Sequence, residues 1–323
     1  MMSPRCSLAA AATLFALLSM PAAFAQGWTQ RPYDPPAGSK WQIVSETTTH
    51  ENRPGQGDRD ERIQTRADLT IDEKLPDGFF RVTYTTRGID VTGSSPGSKL
   101  IGDAYSAIRD IPIRARLDSA GRPVEVENLA EIKTSMRGVI DKIAAKFDSN
   151  PKAAAFMRQI MQGLLDVEGR DAATTYLEEL SPLAAVQNIG LKPGDVRRDD
   201  ETNPNPFGGK AFKTNLTTRL DSYDDKTGKA RFLRKREFDK DSLREAIADI
   251  VRKLAAIGDN KTITPEMMEM MKKVNFSIEG ETVYDLDNGM TVRIDDRDFM
   301  TASVMGTTFT KQQKKTVAVT RQN

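Results

Sequence analysis

Cysteine and histidine are nearly missing from this chain: among 323 residues each occurs once, as Cys6 and His50. Cys6 precedes the N-terminal apolar run, so everything after it lacks a thiol for a disulfide, for nucleophilic catalysis or for a thiolate metal site. A zinc site built from His and Cys is excluded by count, and a Ser/His/Asp triad would have only His50 to use. That residue stands beside a charged loop at a strand end, and no Gly-x-Ser-x-Gly elbow is present. Net charge is small too, +1 from Lys plus Arg at 47 against Asp plus Glu at 46, which leaves no electrostatic footprint for nucleic acid. The acidic stretches Asp285–Gly289 and Asp295–Asp298 do not follow the ligand spacing of a calcium loop. The clusters Arg231–Lys240 and Lys311–Lys315 read as the solvated rows of strands. No cofactor and no metal are expected, and the pattern points away from an enzyme, with an unidentified hydrolase ranking third among the readings.

Long apolar runs are confined to the first residues. Arg5, the run Leu8–Met20 and Ala23-Phe24-Ala25 ahead of Gln26 have the layout of a cleavable secretory signal peptide over residues 1–25. The run is too short to span a bilayer, and no second one follows. Cleavage after Ala25 and a periplasmic or secreted destination are expected, with no transmembrane segment afterwards. Residues 26–39, with Pro32, Pro35, Pro36 and Gly38, form an extended lead-in.

The most regular stretch runs from Asn275 to Thr320. Phe276, Ile278, Thr282, Tyr284 and Leu286 are even-numbered, with Ser277, Glu279, Glu281 and Asp285 between them, the period of two of a half-buried antiparallel strand. Met290, Val292 and Ile294 continue it. A two-residue Asn288-Gly289 loop would place these apolar rows on opposite faces, so parity favours a three-residue loop that pairs Leu286 with Met290, with Gly289 left-handed in a bulge. The same alternation appears over residues 40–127 and 210–240. Asn52–Asp60 and Gly93–Gly102 read as flexible loops, and Ile71 is expected to pair with Val82.

Between the strand regions the period changes to 3.6. Asn128 can cap a helix carrying Ile132, Met136, Ile140 and Ile143; Asn150-Pro151 opens another with Phe156, Ile160 and Leu164; Asp171 caps a third. Residues 190–209, rich in Pro, Gly and acids, read as a linker. Ser242 and Glu245 form a capping box opening a helical pair over 241–272, which includes Met267 and Met271. The plan is a single α+β domain over 40–323: strands 40–127, helical block 128–189, linker 190–209, strands 210–240, helical pair 241–272 and strands 273–321. Its architecture is a large curved antiparallel sheet, a half-barrel of nine or ten strands, with helices packed on the apolar face.

The Gly38-x-x-Trp41 strand opening, the Asp77-Gly78-Phe79-Phe80 turn, Leu117-Asp118-x-x-Gly121, Leu191-Lys192-Pro193-Gly194-Asp195 and the Tyr284–Gly289 hairpin resemble exported bacterial β-rich families known only as domains of unknown function. In architecture the plan is similar to the lipoprotein-carrier (LolA-like) half-barrels, and that resemblance implies acyl-chain binding. The expected function is a non-catalytic soluble periplasmic protein that binds a hydrophobic or lipid-like ligand between sheet and helices. The cavity would be lined by Ile132, Met136, Ile140, Ile143, Phe156, Ile160, Leu164, Met267, Met271, Tyr84 and Tyr284. The alternative is an envelope protein-interaction module with a fully packed core.

Overall fold

The computed structural model describes residues 30–55, 57–93, 109–145, 162, 165–203, 211–246, 248, 275–304 and 307–322. They form one antiparallel sheet of eleven strands: β1 Lys40–Arg53, β2 Gly57–Lys74, β3 Phe80–Gly93, β4 Ile113–Leu117, β5 Pro123–Val126, β6 Val196–Asn203, β7 Phe212–Asp224, β8 Lys229–Phe238, β9 Asn275–Asp287, β10 Met290–Val304 and β11 Thr307–Gln322. The order is β5-β4-β3-β2-β1-β11-β10-β9-β8-β7-β6. Two meanders therefore join where the first strand pairs the last, with Ile43 opposite Val319 and Ser45 opposite Val317. The described residues are mostly β, with few helices: α1 Leu129–Ala145, α2 Gly169–Tyr176, α3 Leu180–Leu183 and a short helical segment at 240–246.

One face carries the core. Ile43, Ala67, Leu69, Ile71, Phe80, Val82, Ile113, Ala115, Leu117, Leu220, Phe232, Ile294 and Val317 are buried on it. The chain leaves the sheet at one edge, β5, and re-enters at the other, β6, so the segment between has to cross the sheet. It does so over the inner face, burying Leu177, Leu180, Leu183 and Val186. Glu179 accepts hydrogen bonds from Thr65 Oγ1 and from Tyr84 Oη (2.5 Å), and Thr291 Oγ1 donates to Leu183 O at 2.6 Å.

The N-terminal segment shows how far the sheet curls. Arg31 donates to Asn288 Oδ1 in the β9–β10 turn and to the carbonyls of Asp225 and Lys226 in the β7–β8 turn. Two residues on, Tyr33 packs edge-on against Phe80 with ring centroids 5.2 Å apart, and its ring lies beside Gly121 in the β4–β5 turn. On a flat sheet β4 and β8 would lie about 33 Å apart at seven strand spacings. Arg31 and Tyr33 span that separation from positions two residues apart on one strap, so the sheet is an open curl whose two edges approach each other.

Several local expectations change. The β9–β10 turn has two residues, Asn288 and Gly289, at φ 49° and 80°. Asp287 pairs with Met290 and Leu286 with Thr291, and a bulge between Thr291 and Arg293 restores Ile294 opposite Tyr284. Parity is repaired by the extra residue in the strand, not in the loop, so Thr291 is buried and Val292 is not. Ile71 does pair with Val82. The charged 52–60 segment is largely strand, with His50 Nδ1 and Asp60 Oδ1 2.9 Å apart and Asn52 Nδ2 donating to Asp58 Oδ1 at 2.7 Å across the pair. Part of the expected linker is β6, an edge strand whose run of charges, Arg197 to Glu201, suits a position with one unpaired side. It brings the count to eleven. Glu168, not Asp171, precedes α2, without a side-chain cap bond. The cap of the 240–246 helix is Asp239, whose Oδ1 accepts the Ser242 N–H at 2.8 Å, so Ser242 and Glu245 do not open it as a capping box.

Asn128 also does other work than capping. Its Oδ1 accepts the Arg114 N–H and its Nδ2 donates to Pro112 O, both at 2.9 Å, tying the start of α1 to β4 from a position 5% exposed. Asn128→Ala leaves both backbone groups without that partner and is expected to cost about 1–2 kcal/mol in urea unfolding. An unchanged midpoint would show the tie to be dispensable.

Candidate binding cleft

Five of the residues expected to line a cavity are described, and all five are core. Ile132 is 1% exposed, Met136 and Ile140 6%, Tyr84 4% and Tyr284 3%, and they belong to one contiguous cluster with the crossing segment. Tyr84 is engaged with Glu179. Burial raises the Tyr284 hydroxyl above its ordinary range. Phe156, Ile160, Leu164, Met267, Met271 and the side chain of Ile143 lie outside the described residues.

Open space of ligand size lies further along the same sheet face, where the strands run on past the crossing segment. The register fixes what points there. Beyond the fully apolar row of Phe232, Tyr284 and Ile294 comes Arg234 opposite Thr282, with Asp296 on the other side of Thr282. Next is Arg236 opposite Gly280, with Asp298 beyond it. The inner row then turns apolar again at Phe238, Ile278 and Met300. A cleft of about 530 Å³ opens over this surface, with Phe212, Leu216, Phe238, Ile278 and Met300 as its apolar wall and Glu201, Arg234, Arg236, Asp298 and Lys311 as its charges. Phe212 and Phe238 stack at a tilt with centroids 5.6 Å apart.

The charges are arranged in matched groups. Arg236 Nη2 donates to Asp296 Oδ1 at 2.9 Å and to Asp298 Oδ1 at 2.7 Å, and Thr282 Oγ1 donates to Asp296 Oδ1 at 2.5 Å. Gly280 makes room for this: a Cβ there would sit 2.2 Å from Asp298 Oδ1 and 2.9 Å from Arg236 Nε. Burial holds the Asp298 carboxyl above its usual range against the pull of Arg236, and neighbouring Asp296 adds to the rise. For Arg236 burial works against the charge, but Asp296 and Asp298 outweigh it and raise its pKa. Lys311 stands 3.6 Å from Glu51.

A second cleft, of about 510 Å³, lies in the gap between the two sheet edges. Arg122 and Pro123 line it from the β5 side, Arg197 and Asp199 from β6, and Arg170 and Ser181 from the crossing segment. Arg234 and Glu201 line both clefts.

Sequence reasoning passed over these residues because Arg231–Lys240 looked like a solvated row. The signal was present: Arg234 and Arg236 share parity with Phe232 and Phe238, as Asp296 and Asp298 do with Ile294 and Met300, so charge was interleaved into an inward row. His50, by contrast, is exposed and raised in pKa, mainly by its hydrogen bond to Asp60. Among the described residues no group of three or more His, Cys, Asp or Glu side chains is placed to hold a metal. None of the described helices is long and apolar enough to cross a membrane.

No family model matches this chain, and no curated protein matches it. Among solved structures it is similar to lipovitellin, described for its lipid–protein interactions, at 11% identity and a TM-score of 0.44, over 90% of this chain and 26% of lipovitellin's. The chain thus spans about a quarter of that protein. It is also similar to DynF of the dynemicin biosynthesis pathway of Micromonospora chersina (6% identity, TM-score 0.20, 91% and 86% covered) and to Ail, the attachment invasion locus protein of Yersinia pestis (4% identity, TM-score 0.12, 88% and 100% covered). Likenesses at these levels establish neither a shared fold nor a shared function.

Proposed function

We propose that this chain is a non-catalytic, exported binding protein that seats an amphiphile on the inner face of its curled sheet. The observation that carries this is the cleft over β7–β10, where an apolar wall and charged groups share one opening of about 530 Å³. Ligand sites fall in the range of roughly 300–1,000 Å³ and combine apolar lining with a few placed polar groups. Phe212, Phe238, Ile278 and Met300 are only half-buried, and they supply the contact for a hydrocarbon tail. Met300 adds a flexible thioether that adapts to irregular partners. The N-terminal apolar run and Ala23-x-Ala25 support export, and the periplasm is the compartment we assign.

Titration with a neutral naphthylamine dye tests the reading. One dye per chain is expected to bind saturably and to be displaced by a twelve-carbon amphiphile. Met300→Lys should weaken binding by about tenfold or more, because a charge placed against the tail has to be desolvated. Since Met300 is half-buried, the melting midpoint should hold. Binding that is absent, or insensitive to Met300→Lys, would turn the reading toward an envelope interaction module.

A further inference from the structure

Arg234 is the one cation common to both clefts, and its hydrogen bonding is incomplete. Nη2 donates to Glu201 Oε1 at 3.0 Å and the guanidinium also hydrogen-bonds the Tyr284 hydroxyl, while Nε is closed off from solvent and has no acceptor. The side chain is 17% exposed, held between Thr218 and Thr282 on the flanking strands. The other cations of the larger cleft are matched, Arg236 by Asp296 and Asp298, and Lys311 by Glu51. A buried donor left unmade is costly, and the planar edge of a guanidinium fits a carboxylate with two parallel bonds. An anionic head entering either cleft meets the partly exposed guanidinium and reaches Nε as Glu201 gives way, with Phe212 and Phe238 beside it to receive a tail.

Building on the amphiphile reading, we infer that Arg234 is the headgroup anchor and that the ligand is a carboxylate-headed amphiphile of the fatty-acid class. Glu201 is then a competitor: it holds one nitrogen of the guanidinium in the empty cleft and yields it in part to the ligand. Arg234 acts in recognition only, and no bond is made or broken.

Dodecanoate, dodecanol and dodecylamine, each competed against the neutral dye on the full chain, test this. Dodecanoate should bind at least about tenfold tighter than dodecanol, the difference expected of a charge-assisted bidentate contact. Arg234→Met should bring dodecanoate down to the level of dodecanol without moving dodecanol itself. Glu201→Gln should move the other way and tighten dodecanoate by roughly threefold, less than one full hydrogen bond's share. A purely structural role for Arg234 would lower all three ligands together and would give no gain in Glu201→Gln. Equal binding of dodecanoate and dodecanol, or a ratio that neither variant moves, overturns the assignment of Arg234 and leaves the amphiphile cleft standing. Binding of none of the three overturns both.

Discussion

Gly289→Ala should lower the stability of this protein by about 2–4 kcal/mol, while the same change at Gly78 should cost only about 1–2 kcal/mol. Both glycines stand in hairpin turns at positive φ, 80° and 82°, so the conformational penalty for an L side chain is shared. Their surroundings differ. Nothing lies within 4 Å of a Cβ at Gly78, whereas at Gly289 it would fall 2.1 Å from Pro32 O and 2.6 Å from Arg31 O. Those are backbone atoms of the strap that bridges the two meanders, and they cannot rotate away. Relief would require lifting the strap, with loss of the Arg31 bonds to the β7–β8 and β9–β10 turns and of the Tyr33 seat on Phe80. Urea unfolding of the two variants separates the effects. Equal losses would mean that the strap gives way freely and does not hold the curl.

Arg236→Met should cost about 2–3 kcal/mol at neutral pH, below the 3–5 of a fully buried pair because the Arg236, Asp296 and Asp298 side chains are 26%, 16% and 33% exposed. The substitution keeps the stem's packing and leaves two half-buried carboxylates without their shared cation. The pH dependence has a definite sign. Burial raises the Asp298 pKa in the folded state, so the folded protein binds that proton more tightly than the unfolded chain does. Its contribution is therefore most favourable below the unfolded value of about 4 and is lost as pH rises through the raised folded value. Without Arg236 the rise is larger, and the variant's deficit should shrink as the pH is lowered toward about 4. A deficit that stays constant between neutral and acid pH would show that the loss comes from packing and not from the stranded carboxylates.

Alternation made most of the sheet legible. The inward rows of Ile43, Leu69, Val82, Tyr284 and Ile294 follow from period two, and the Ile71–Val82 pairing follows from parity. What alternation does not encode is where an odd residue is absorbed. At the terminal hairpin parity demanded one extra residue, and loop and strand could both supply it; the strand did, at Val292. Caps were ambiguous for a related reason. Asn128, Asp171 and Ser242 all carry cap chemistry, yet Asn128 found better partners on β4, and Asp239 took the cap position ahead of Ser242. The pairing of β1 with β11 was beyond reach, since it joins residues at opposite ends of the chain and depends on the whole curl.

The cleft was legible in part. Charged residues sharing parity with Phe232, Phe238, Ile294 and Met300 had to face inward, but only the register brings Arg236 of β8 to Asp296 and Asp298 of β10, about sixty residues away in sequence. Tyr84 and Tyr284, expected to line a cavity, lie on the inner face. They are packed there among other core side chains, Tyr84 with its hydroxyl on Glu179, while the open volume begins one row further along.

Native mass spectrometry of the protein purified from the organism that makes it is the most direct measurement of whether this cleft carries a ligand. The account predicts a mature chain beginning near Gln26 with a bound amphiphile at one per chain, lost on gentle activation and depleted in Met300→Lys. A spectrum containing only the unliganded chain, in wild type and variant alike, would contradict it.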